Sequence, residues 1–98
     1  MKDNLKDIGI LGRRHYDYLK ANKPTVINVM RMNGTLNSYL KGVNEQAEEM
    51  LFGLIKQIAK SEGITETLKQ QNQMLWVQRM NSIRNRAEEI VKSEVLFI

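Results

Sequence analysis

The chain has 98 residues, of which 42% are hydrophobic and 27% charged, a composition that predicts one small globular domain over residues 1–98. It has no cysteine and one histidine, which excludes disulfide frameworks, thiolate nucleophiles and cysteine-ligated metal sites. No apolar run approaches the roughly 20 residues that cross a bilayer. We therefore expect a cytoplasmic protein that has no membrane span and binds no metal or cofactor.

Positive charge is concentrated in the first part of the chain. Residues 1–41 hold eight Lys and Arg against three Asp, a balance of +5, whereas residues 42–98 hold seven against eight Glu, a balance of −1. A basic region on a small domain favours polyanionic partners such as DNA, RNA or an acidic protein surface. An ordinary solvated basic face is the alternative interpretation.

The first 33 residues predict a loose terminus followed by two short basic helices. Residues 1–10 mix charged side chains with few apolar ones and are expected to be a flexible terminus. From Leu11 to about residue 21, apolar residues recur at helical spacing. Pro24 suits the first turn of the second helix, and Gly34 suits a left-handed residue that ends it. The pair Asn33-Gly34 is also typical of a β-hairpin turn, which remains an alternative.

A heptad pattern predicts one long helix over about residues 35–61. Thr35 is a favourable N-cap, and Gly63 can take the left-handed conformation beyond the C-terminus, with Ile64 folding back on the last turn. The apolar positions of this helix are spaced alternately four and three residues apart: Leu36, Leu40, Val43, Ala47, Met50 and Leu54.

Thr65 is predicted to cap a second long helix that extends to about residue 91. A short link between two long helices requires an antiparallel return, so residues 35–95 are expected to form a long helical hairpin. The predicted fold class is therefore all-α, a long antiparallel helical hairpin with one or two short N-terminal helices. The two short helices cover only part of a hairpin about 40 Å long, and the apolar tail at residues 95–98 must pack on the domain or on a second copy.

The sequence contains no pattern typical of catalysis. Glutamates cluster on the two long helices, but a di-iron bundle needs Glu-x-x-His pairs, which are absent, and exposed salt bridges explain the glutamates. Gly-rich phosphate loops, GxSxG and HExxH are also absent from the sequence. His15 lies on the apolar side of its helix and is interpreted as a core or boundary histidine rather than a general base. We expect a protein that is not an enzyme.

Basic residues on the two short helices are candidates for nucleic-acid binding, because cations neutralise phosphates and a tyrosine can pack on sugar or base. The spacing of the two short helices only approximates a helix-turn-helix motif. The second helix is too apolar to recognise base edges well in the major groove of DNA. A second basic set lies on the last helix, at residues 79, 84 and 86. The candidate nucleic-acid-binding residues are Arg13, Arg14, Tyr16, Lys20, Lys23 and Arg31.

A partner interface is predicted on the long hairpin and the tail. Gly53 costs about 1 kcal/mol relative to Ala within a helix, and close approach of another helix is one reason to keep it. The methionines and Trp76 fit either a core, a dimer interface or an adaptable ligand groove. We expect a homodimer whose interface includes Gly53, Trp76, Met80 and Phe97.

The segment LKQQNQMLWVQRMNSIR at residues 68–84, together with AEEIV at 87–91, closely resembles the TnpV-like family of transposon-encoded proteins. Residues 18–20, 34–40 and 63–65 are similar to that family as well, so the resemblance covers about residues 11–98.

This resemblance implies a small accessory protein of a transposon or integrative element, of a kind sometimes likened to excisionases, which bind element ends and direct a recombinase. We therefore expect a DNA-associated or excisionase-like factor without catalytic activity. The alternative is a module that binds a recombinase, a transposase or another element-encoded protein without touching DNA. Excisionases are winged helical proteins, and only the Asn33-Gly34 pair offers a hairpin for such a wing.

Overall fold

The computed structural model describes residue 5 and residues 7–97. This part of the chain contains no strand and measures 55 × 22 × 17 Å, so the all-α prediction is confirmed. A one-turn π-helix follows the last α-helix and is here called the C-terminal π-helix. The elements in chain order are α1 (Ile10–Asn22), α2 (Pro24–Asn33), α3 (Leu36–Ser61), α4 (Glu66–Gln71), α5 (Gln73–Val91) and the C-terminal π-helix (Lys92–Leu96).

The junction between α2 and α3 is a helix C-cap rather than a β-hairpin turn. Gly34 has a φ of 71°, and its N–H donates to the carbonyl of Arg31 at 3.2 Å. The N–H of Thr35 donates to the carbonyl of Met30 at 2.9 Å, which completes a Schellman motif. The predicted left-handed Gly34 is confirmed, and the β-hairpin alternative is wrong because both flanking segments are helical.

The second predicted long helix is interrupted at Asn72. The side-chain oxygen of Asn72 accepts from the N–H of Leu75 at 3.1 Å, so this residue is the N-cap of α5. Thr35 and Thr65 occupy the N-cap positions of α3 and α4, but neither hydroxyl makes the capping bond that the sequence predicts. A polar side chain that satisfies a first-turn amide allows α4 to end and α5 to begin without a connecting loop.

Helices α3 and α5 run antiparallel with an offset that leaves part of α5 beyond the end of α3. Ala47 clusters with Val91 and Leu96, whereas Glu62, just past α3, reaches Arg86 in α5, with Arg86 Nη1 2.7 Å from Glu62 Oε2. The first residues of α5 therefore extend past the end of α3. Helix α4 packs against α5 and not against α3. We call α4 and residues 72–82 the projecting hairpin, an arrangement that differs from the predicted pair of uninterrupted long helices.

Two hydrophobic clusters lie at the opposite end from the projecting hairpin. One joins α1, α2 and the start of α3, and the other joins α1, α3 and residues 91–97, here called the C-terminal segment. Their buried members are Ile8, Tyr16, Leu19, Ile27, Leu36 and Leu40 in the first, and Leu11, Val43, Ala47, Val91, Val95 and Leu96 in the second.

These clusters correct one sequence expectation and support another. Ile8 is almost fully buried, so the flexible terminus predicted over residues 1–10 does not include this residue. Residues 1–4 and 6 lie outside the described residues. Val95 and Leu96 are buried in the second cluster, so these two residues of the apolar tail pack on the domain, while Ile98 also lies outside the described residues.

His15 connects α1 to both α3 and the C-terminal π-helix. Its side chain is 1% exposed, with Nδ1 2.7 Å from the carbonyl oxygen of Leu96 and Nε2 2.8 Å from the hydroxyl of Tyr39. Because a carbonyl oxygen can only accept, Nδ1 donates to Leu96, and Nε2 forms its hydrogen bond with the Tyr39 hydroxyl. The structure agrees with the interpretation of His15 as a core histidine with satisfied hydrogen bonds.

The start of α1 is capped by a side chain from α3. Gly9 is the N-cap residue and has no side chain to offer, and the N–H of Gly12 donates instead to Asn44 Oδ1 at 3.0 Å. This close approach needs a glycine at position 12. A Cβ added there would lie 2.7 Å from the backbone oxygen of Leu40 and would also meet the side chain of Ile8.

We predict that Gly12→Ala lowers the free energy of unfolding by about 1–3 kcal/mol, because the added methyl group overpacks the contact between α1 and α3. Urea denaturation followed by circular dichroism measures the change. Gly42→Ala and Gly53→Ala are matched controls within α3, since a Cβ at either position meets nothing within 4 Å. Both controls should raise stability by about 0.5–1 kcal/mol. A neutral Gly12→Ala would contradict the packing described above.

A second prediction concerns the ion pair that marks the offset of α3 and α5. The hydrogen bond from Arg86 holds the pKa of Glu62 below its ordinary value of 4.5. A carboxyl whose pKa is lower in the folded state adds stability above the unfolded-state pKa and loses it as pH falls through the folded-state pKa. Wild type should therefore exceed Glu62→Gln in unfolding free energy at pH 7, and the difference should vanish in acid and shrink with added salt.

Urea titrations at intervals between pH 7 and pH 3 test this dependence. Glu66→Gln, an exposed glutamate on α4, controls for the change in net charge. A difference between wild type and Glu62→Gln that stays constant to the lowest pH would show that the pair does not contribute through ionisation.

Candidate nucleic-acid interface

Helix α1 separates a buried side from a basic side. Leu11, His15 and Leu19 recur every four residues and are buried, so the opposite side faces solvent. That side carries exposed cations at positions 13 and 20, with Lys23 directly after the helix and Arg14 partly exposed at one edge. The acidic Asp17 lies between the cations and reduces the local positive charge. We call Arg13, Arg14, Lys20 and Lys23 the α1 basic face.

Tyr16 and Arg31, two of the predicted nucleic-acid-binding residues, interact with each other. Tyr16 is 7% exposed and belongs to the first hydrophobic cluster, so its ring cannot pack on a sugar or base as the sequence predicts. Its hydroxyl lies 3.3 Å from Arg31 Nη2, and Arg31 Nη1 lies 3.3 Å from Asn28 Oδ1. Burial follows from the position of Tyr16 one residue after His15, on the side of α1 that faces α2. Arg31 is exposed, but its guanidinium is hydrogen-bonded to residues of both α1 and α2.

The second basic set, on α5, is divided between two environments. Arg86 is paired with Glu62, as described above. Arg79 and Arg84 are exposed, with Arg79 on the projecting hairpin. These three arginines lie on α5, whereas the residues of the α1 basic face lie on α1 and directly after it.

A groove of about 530 Å³ lies along the junction of α1 and the C-terminal segment, and we call it the C-terminal groove. It is lined by Arg14, Asp17 and Tyr18 from α1 and by Lys92 and Phe97 from the C-terminal segment. Phe97, a predicted partner-interface residue, packs its ring against Tyr18. The sequence analysis missed this site because Tyr18 and Phe97 are 79 positions apart, and the spacing of residues 14, 17 and 18 on one side of α1 was the only local signal.

The other predicted partner-interface residues lie outside the two hydrophobic clusters. Gly53 is exposed, and nothing within the described part of the chain approaches the position of its absent Cβ within 4 Å. Trp76 and Met80 are partly exposed on the projecting hairpin, and Lys69 Nζ lies 4.8 Å from the centre of the Trp76 ring. The close helix expected at Gly53 is therefore not supplied by the part of this chain that the structure describes.

The projecting hairpin has no buried residue at any position from 66 to 82. Its apolar side chains are at most partly covered, and α4 makes no contact with α3. Met74 is 76% exposed, and with Val77 it lines a shallow groove of about 300 Å³ bordered by Gln73 and Gln78. The lack of buried residues distinguishes this end of the molecule from the end that holds the two hydrophobic clusters.

Among the described residues, no group of three or more His, Asp and Glu side chains is arranged to hold a metal ion. Glu45, Glu48 and Glu49 instead surround the exposed ring of Phe52 on α3. Over the same residues, none of the helices combines the length and the hydropathy needed to span a bilayer.

Comparison with known proteins identifies a family. No curated protein and no solved structure matches the chain. The family model described as transposon-encoded protein TnpV matches residues 1–96, which is nearly the whole chain and includes the α1 basic face, the C-terminal π-helix and the projecting hairpin. The resemblance noted at residues 68–84 is thereby confirmed: the chain belongs to the TnpV family of transposon-encoded proteins.

Proposed function

We propose that this protein is a non-catalytic accessory factor of a transposon that contacts duplex DNA through the α1 basic face. The observation that carries the proposal is the orientation of α1. Its buried side is fixed by the hydrophobic clusters and by His15, which leaves Arg13 and Lys20 on the solvent side. Membership of a transposon-encoded family makes DNA a reasonable polyanionic partner for this surface.

Binding of this kind is mainly electrostatic. Each cation that neutralises a phosphate releases condensed counterions, so affinity falls as salt rises. Helix α2 exposes the apolar side chains of Val29 and Met32 among its polar ones, a mixture that suits readout of base edges poorly. Modest sequence preference is therefore the expected behaviour, and an excisionase-like role would consist of occupying element DNA beside a recombinase rather than inserting a β-hairpin wing.

The second candidate function is a protein-interaction module, and the projecting hairpin favours it. Partly exposed apolar side chains on a two-helix extension are typical of surfaces completed by another chain. A second copy is the simplest partner, since two projecting hairpins packed side by side form a four-helix arrangement. A recombinase or transposase from the same element is the alternative occupant.

For the DNA interface, we predict that replacing Arg13 and Arg14 together with Glu weakens binding to duplexes of unrelated sequence by similar factors. Both residues lie away from the hydrophobic clusters, so helical content should not change. If about four phosphates are neutralised, log K should fall with log salt with a slope of about −3.6 for the wild type. Fluorescence anisotropy with a labelled 20-base-pair duplex at several salt concentrations measures both quantities.

The Arg79→Glu and Arg84→Glu double variant is the matched control, because it makes the same charge change on α5. It should bind DNA more tightly than the α1 variant. If the α5 variant abolishes binding while the α1 variant has no effect, the contact surface is α5 and not α1.

For the projecting hairpin, we predict a homodimer at high micromolar concentration that Met74→Lys converts to a monomer. Met74 is largely exposed, so the substitution should leave the monomer fold intact while placing a charge in the interface. Met32→Lys is the matched control, because Met32 is 87% exposed on α2 at the other end of the molecule. Light scattering coupled to gel filtration measures the mass, and a wild-type monomer over the whole concentration range would remove self-association from the proposal.

A further inference from the structure

The C-terminal groove combines features that a basic helix face alone does not have. Its volume of about 530 Å³ lies within the range of small-ligand sites, roughly 300–1,000 Å³. One wall is α1 and the other is the C-terminal segment, which His15 holds in place by donating to the carbonyl of Leu96 at 2.7 Å. The N–H of Phe97 donates to the carbonyl of Lys92 at 2.8 Å, so the backbone that carries the Phe97 ring is also fixed.

Two aromatic rings stand at the edge of this groove. The ring centres of Tyr18 and Phe97 are 5.4 Å apart, and the ring planes are tilted by 37°. Phe97 is 44% exposed, and Tyr18 is partly exposed. An exposed aromatic ring with a fixed backbone offers a flat surface on which a nucleobase can stack, and such stacking tolerates any base sequence.

The charges of the groove complement a phosphate group. Arg14 and Lys92 supply two cations, and Asp17 supplies one carboxylate, so the lining has a net positive charge. Lys92 Nζ also lies 3.4 Å from Glu89 Oε1, but Glu89 is largely exposed, and such solvated pairs are weak enough to rearrange for a phosphate. The carboxylate of Asp17 can accept a hydrogen bond from the N–H groups of a base.

We propose that the C-terminal groove binds an unpaired nucleotide of single-stranded DNA, with its base stacked on the Tyr18–Phe97 pair and its phosphate bound by Arg14 and Lys92. This inference rests on the proposed DNA association and names the form of DNA that this groove takes. In a duplex both faces of each base are covered by neighbouring base pairs, so an intact duplex cannot present a base to the rings without unstacking. The α1 basic face borders the groove at Arg14 and provides a path for the adjoining phosphates.

Anisotropy titrations of the full chain with labelled 12-mer oligothymidylate and with the 20-base-pair duplex test this assignment. Phe97→Leu and Tyr18→Leu keep apolar cover but remove the flat ring, and each should raise the Kd for the single strand about tenfold while changing the duplex Kd little. Phe52→Leu is the matched control, because Phe52 is an exposed phenylalanine on α3 outside the groove. Lys92→Gln should reduce the salt slope for the single strand by about 0.7.

The proposal is overturned if Phe97→Leu and Tyr18→Leu bind the single strand as wild type does, or if Phe52→Leu weakens binding equally. It is also overturned if thymidine monophosphate competes as well as the 12-mer at equal nucleotide concentration, since the groove would then be a site for free nucleotides. Circular dichroism of each variant separates loss of binding from loss of fold.

The same titrations separate this inference from the proposed function. Wild-type protein that binds the duplex but not the single strand overturns the inference and leaves the proposed function standing. Binding of the single strand that depends on the two rings, without binding of the duplex, supports the inference and overturns the proposed duplex contact. Absence of binding to both DNAs overturns the two proposals together.

Discussion

The arrangement of the helices in this small protein depends on the hydrogen bonds of the buried His15 side chain. One imidazole ring joins α1 to the Leu96 carbonyl on one side and to the Tyr39 hydroxyl on the other. An imidazole has one nitrogen on each side of the ring, so this single side chain reaches both partners. Without it, the Leu96 carbonyl would lose its partner in a buried environment, and the C-terminal π-helix would lose its specific attachment to α1.

The same attachment accounts for the uneven distribution of the hydrophobic clusters. Helices α1 and α2 and the C-terminal segment all pack on the first half of α3, where the buried residues lie. The offset between α3 and α5 leaves α4 without contact to α3, and no residue of the projecting hairpin is buried. One end of the molecule is therefore a closed domain with a basic outer helix, and the other is an extension whose apolar side chains lack a third layer. The proposed contacts with DNA and with a protein therefore lie at opposite ends of the molecule and do not compete for surface.

Several helix ends can be predicted from the residues at those positions alone. Contacts between residues far apart in the sequence cannot be predicted in this way. Pro24 and Gly34 act through their own backbone geometry, so the limits of α2 follow from the residues themselves. The break at Asn72 has a local signal too, an asparagine three residues before Leu75, yet the continuous apolar stripe across it indicated one helix. Tyr16 was assigned to DNA because its helix is basic, and only the packing of α2 shows that its ring is buried. The C-terminal groove joins residues from both ends of the chain, which periodicity within one segment cannot detect.

The bond between His15 and Leu96 spans 81 residues, and this separation has a consequence for how the chain reaches its structure during synthesis. When α1 and α3 have left the ribosome, the cluster that will hold Leu11 and Val43 still lacks Val91, Val95 and Leu96. Contacts between residues so far apart in the sequence form late and slow the folding step that depends on them. The contacts around His15 are complete only after residue 96 has left the ribosome. Until then, the nascent chain exposes the apolar surface that is buried in the hydrophobic clusters of the folded protein.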